Sequence, residues 1–77
     1  MDNTTKERLF QQFMENAKSR LHHVGDIAYY LSPVYLVLYG VEQLENGYLV
    51  VKVLTDEEVP VQTNDTIEGA IRYIVGL

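Results

Sequence analysis

Seventy-seven residues leave room for one domain over positions 1–77 and no second core, and a chain this short buries only about 60% of the surface its unfolded form exposes, so its stability margin is thin. Cysteine is absent, which excludes disulfides, thiolate metal ligands and cysteine nucleophiles together and makes a cytoplasmic setting the simplest expectation. The net charge of −5 is uneven, with four cations against three acids over residues 1–20 and two against eight over 21–77; that balance repels phosphate backbones and argues against direct nucleic-acid binding.

The opening residues, Met1 to Arg8, are polar and charged, unlike a signal peptide. Thr4-Thr5-Lys6-Glu7 fits a capping box, in which the Thr4 hydroxyl and the Glu7 carboxylate each satisfy an orphan backbone donor. Leu9, Phe10, Phe13, Met14, Ala17, Leu21 and Val24 then recur at helical spacing, so the pattern predicts a helix over about residues 4–24, stopped by Gly25. In Asp26 to Ser32 the alternation of Ile27, Tyr29 and Leu31 favours a short strand. A single helical turn ending before Pro33 is the other reading. The uncharged run from Ile27 to Val41 contains Ser32 and Pro33 and falls short of the roughly 18 residues that a membrane span needs.

Asn46-Gly47 lies between two β-rich runs and predicts a hairpin with a two-residue type I′ turn. That register pairs Leu44 with Leu49, Val41 with Lys52 and Tyr39 with Leu54. One face then carries Leu36, Leu38, Leu44, Leu49, Val51 and Val53 with Glu42, and Gly40 points the same way. The other carries Tyr35, Val37, Tyr39, Val41, Tyr48, Val50, Lys52 and Leu54, because strand side chains alternate. Asp56-Glu57-Glu58 reads as an exposed turn. Val59 to Thr63 reads as a short strand that Pro60 confines to an edge. Asp65, with Glu68 three residues on, caps a second helix whose apolar stripe is Ile67, Ala70, Ile71, Ile74 and Val75.

The expected fold is α+β: an N-terminal helix, an antiparallel hairpin or meander of two to four strands and a C-terminal helix, in the order α-β-β-β-α, with the helices mainly on one sheet face. In size and element order this resembles many short bacterial or phage accessory proteins, an analogy that carries no function. The Leu- and Val-rich face is the expected seat of the helices. The tyrosine-bearing face (Tyr35, Val37, Tyr39, Val41, Tyr48, Val50 and Leu54) is then the candidate interface for a second copy, since tyrosine buries a ring while its hydroxyl stays hydrogen-bonded. One helix on each face is the competing arrangement.

Little catalytic chemistry can be assembled. His22 and His23 point about 100° apart on a helix, a poor geometry for one metal ion, and they read as cations at a helix C-terminus. Asp56, Glu57 and Glu58 lack the alternating ligands and glycine of a calcium loop and read as a solvated tip or a contact for a basic partner. No phosphate-binding glycine loop, nucleophile elbow or Ser/His/Asp set exists, so neither cofactor, metal nor catalytic residue is assigned. The expectation is a non-enzymatic protein-binding or regulatory module, homodimeric through the tyrosine face. The alternative is an acidic inhibitor that occupies a basic, nucleic-acid-binding site on another protein.

Overall fold

The computed structural model describes residues 2–77. It contains α1 (Asn3–Arg20), β1 (Ile27–Leu31), β2 (Leu38–Leu44), β3 (Gly47–Val53), β4 (Glu58–Asn64) and α2 (Ile67–Gly76). The four strands form one antiparallel meander in the order β1-β2-β3-β4, and among the described residues no helix is long and apolar enough to cross a membrane.

α1 begins two residues earlier than the Thr4 capping box predicts. Asp2 is its cap, and the carboxylate accepts from the Thr5 N–H at 2.7 Å. Glu7 is thereby free to bind elsewhere: the Arg72 guanidinium of α2 donates to both of its oxygens, at 2.7 and 3.2 Å. Arg72 also sits 3.5 Å above the centre of the Phe10 ring, so a single α2 side chain clamps α1. The helix ends at Arg20 rather than at Val24. One oxygen of Asp26 takes the N–H groups of His22 and His23 at 3.0 and 2.9 Å, which draws those residues out of the helical path. Val24 is left exposed in the connection, and Gly25 turns the chain at φ 95°.

The hairpin reverses through Glu45 and Asn46, with Leu44 opposite Gly47, Glu42 opposite Leu49 and Val41 opposite Val50. Neither Asn46 nor Gly47 has a positive φ, so the type I′ turn is not formed. Gly47 has a different use: a Cβ there would lie 2.7 Å from the Asn64 carbonyl oxygen of β4, and only glycine lets that strand approach. The displacement from the predicted pairing is even, so every side chain keeps its predicted face.

What differs is which face the helices cover. Tyr39, Val41 and Val50 are buried together with Ala28 of β1, Phe10, Phe13 and Ala17 of α1, and Ala70, Ile71, Ile74 and Val75 of α2. Tyr30 joins them, its ring stacked on Phe13 with centroids 5.0 Å apart, and burial raises its phenol pKa. The helices therefore pack on the tyrosine-bearing face. Ala28, Val41 and Val50 lie opposite one another across three strands and make a low aliphatic row, against which the α1 and α2 side chains can close at native density. α2 is capped by Thr66, not Asp65, the Gly69 N–H donating to the Thr66 hydroxyl at 3.0 Å.

The outer strand β4 is blunted. Its pairing with β3 shifts register between Val50 and Val51, and Pro60, opposite Val51, has no amide to offer. β1, the opposite edge, contains neither proline nor charge.

Candidate functional site

Both helices being on one side, the opposite side of the sheet has no second layer. Ile27, Tyr29 and Leu31 of β1, Leu38, Gly40, Glu42 and Leu44 of β2, Leu49, Val51 and Val53 of β3, and Glu58, Pro60 and Thr63 of β4 share it, as the strand pairings require. Leu31 is 59% exposed and Tyr29 46%. Leu38, Leu44, Leu49 and Val53 are half-buried, shaded only by their neighbours.

The centre of this face is organised around Gly40. A Cβ there would meet Ile27 and Val51 side-chain carbons at 3.1 Å and the Tyr29 ring at 3.4 Å, so the glycine is the floor on which the neighbouring strands' side chains lie. From there the Tyr29 hydroxyl donates to a Glu58 carboxylate oxygen at 3.2 Å, linking the first strand to the fourth. Burial, followed by the negative charge of Glu58, raises the Tyr29 phenol pKa. The ring lies along the face as a crossbar.

The apolar surface continues over one end of the sheet, where the β1–β2 and β3–β4 connections meet. Val34, Tyr35, Leu36 and Leu54 are exposed there beside Leu31. Ser32, itself buried, organises the β1–β2 connection: its N–H donates to the Val37 carbonyl, its carbonyl accepts from the Leu36 N–H, and its hydroxyl accepts from the Tyr35 N–H. Leu36 is the only non-glycine among the described residues at positive φ, 54°, and it is 76% exposed. A left-handed leucine costs roughly 1–2 kcal/mol relative to an ordinary conformation, and an exposed one gains nothing from burial. Asparagine or glycine would serve better for folding alone.

Charge divides along the same plane. Glu42 and Glu58 lie on the open face, Glu45 stands at one end, and Asp56 and Glu57 stand at the other beside the exposed leucines. Lys6, Arg8, Lys18 and Arg20 are on α1 and Arg72 is on α2, in the helical layer. Lys52 is on the covered face, opposite Tyr39. No lysine or arginine shares the open face.

The predicted interface residues are thus dispersed. Tyr39, Val41 and Val50 lie beneath the chain's own helices, and Val37 and Tyr48 pack against that core, so these five are not a docking surface. Tyr35 and Leu54 are exposed, but at the sheet end. Of the acidic trio, Asp56 and Glu57 are in the exposed connection and Glu58 opens β4. The open-face residues Ile27, Tyr29, Leu31 and Leu38 were absent from the predicted interface. The alternation of β1 was their available signal, once β1 is paired with β2.

Other surface features bring little chemistry together. A hollow of 520 Å³ runs along Asn3, Thr4, Glu7, Arg8 and Gln11 of α1, where Glu7 is already engaged by Arg72. His22 and His23 are exposed, and their amides hold the Asp26 carboxyl below the usual carboxylate range. Among the described residues no group of three or more His, Cys, Asp or Glu is placed to hold a metal ion. Compared with family models, curated proteins and solved structures, the chain matches none.

Proposed function

We propose that this chain is a non-enzymatic protein-binding module whose working surface is the open sheet face and the apolar end continuous with it. One observation carries the reading: a four-stranded sheet with apolar side chains on both sides has helices on only one of them. Contiguous apolar patches larger than a few hundred Å² on small proteins usually mark an interaction site, and a protein supplies its own cover when the surface has no such use. Leu36 supports the same reading, since an exposed leucine in a left-handed conformation serves contact rather than folding.

The test is site-directed photocrosslinking in the cells that make the protein. A benzophenone side chain at Leu31, on the open face, is expected to give a discrete protein adduct. The same group at Glu15, exposed on α1, is expected to give none. Adducts from Glu15 and none from Leu31 would overturn the assignment.

A further inference from the structure

Resting on that reading, we infer that the open face receives a basic amphipathic helix of another protein: an apolar stripe flanked by lysine or arginine. Three observations converge on this occupant. The first is architectural. The sheet already carries one helical layer on its tyrosine face, and its second apolar face is buried only when another element packs on it. β2 presents seven residues from Leu38 to Leu44, a length of about 20 Å, which a helix of about 13 residues matches.

The second is the charge pattern. The apolar strip made by Leu38, Val51 and Val53 with Tyr29 is bordered by Glu42 toward the hairpin and by Glu58, Glu57 and Asp56 at the other end. With no cation on the face, these carboxylates complement a partner that brings its own, and cations flanking a docked apolar stripe would reach them. Tyr29 lies between the two groups of acids, its hydroxyl tied to Glu58, and its ring offers a flat surface for an apolar or cationic side chain.

The third removes the second copy as occupant. A two-fold pairing of open faces would set one acidic border against another with nothing to offset it. Pairing the open face with the cation-bearing helical layer of another copy is a head-to-tail contact, which generates open filaments unless the rotation closes. A separate basic protein satisfies both the apolar strip and its border without either penalty.

A defined probe tests this on the full chain: a synthetic helical peptide of about 14 residues, leucine on one face and lysine on its flanks, beside a leucine/glutamate counterpart. Amide chemical shifts of the labelled protein report where each binds. The leucine/lysine peptide is expected to move Leu38, Gly40, Val51 and Val53. Its affinity should fall at least about tenfold between about 50 and about 500 mM salt, and by a similar factor in the Glu42→Lys/Glu58→Lys variant, checked for folding by circular dichroism. The leucine/glutamate peptide is expected to move none of them. Equal binding of the two peptides, shifts confined to α1 and α2, or an affinity indifferent to salt would overturn the inference, and the salt series needs no variant. A Leu31 photoadduct joining two copies of this chain would also overturn it, while leaving the binding-module reading intact.

Discussion

The two faces of this sheet are built from the same kinds of residue and meet opposite fates. On one, Ala28, Val41 and Val50 are fully buried and Tyr39 is 8% exposed. On the other, only Gly40 and Val51 are buried, and they are covered by side chains of the sheet itself. Apolar content does not separate them. Relief and charge do. The covered face offers a low aliphatic row that helices can close on, whereas the open face has a floor at Gly40 already crossed by Tyr29 and a border of carboxylates.

The largest expected effect lies across this division. Ile71→Ala, in α2 against the covered face, should lower unfolding free energy by about 3 kcal/mol, as a core cavity does. Leu31→Ser on the open face should change it by less than about 0.5 kcal/mol. Urea unfolding compares the two directly, and equal losses would erase the distinction. Gly47→Ala comes next. Its Cβ would press on the Asn64 carbonyl oxygen, and moving β4 away should cost about 1–3 kcal/mol. A neutral Gly47→Ala would mean that β4 is not seated as close as 2.7 Å implies.

Smaller still is the acid response at the α1–β1 connection. The folded carboxyl of Asp26 is held below its usual range by the His22 and His23 amides. The contribution is therefore complete above the unfolded value, near 3.9, and is lost as pH falls through the folded one. Asp26→Asn should lower the urea midpoint at pH 7 and flatten its decline as pH falls below about 4. An unaltered pH profile would show that those hydrogen bonds contribute nothing. The smallest effect has the opposite sign. The side-chain oxygen of Gln43 is buried without a hydrogen-bond partner, so Gln43→Met should be neutral or stabilising by up to about 1 kcal/mol.

Much of the architecture was legible in the residues. The stripe of Phe10, Phe13 and Ala17, the Ile67 to Val75 stripe, the alternation of β1 and the edge character imposed by Pro60 follow from period and backbone chemistry, and the structure contains all four. The face memberships were legible too, because alternation survives an even slip in register. Which face the helices would choose was not. That choice depends on how the connections at residues 21–26 and 65–66 swing the helices, and on the match of Ala28 to Val41 and Val50. Ala28 counts as one small residue in a strand until pairing places it at the centre of the covered row. Asn46-Gly47 misled for a related reason: its glycine answers to Asn64, seventeen positions along the chain, and no local pattern reports such a neighbour.

The unlike rims of the sheet bear on how large an assembly can become. Strand-by-strand growth requires two receptive rims per molecule, and here one of them is spoiled by the missing amide of Pro60 and the register shift beside it. Should β1 ever zip onto another ribbon, both products would end in a rim that refuses the next, and growth would stop at a pair. A protein that leaves a greasy plane uncovered is thus kept from turning that liability into a fibre.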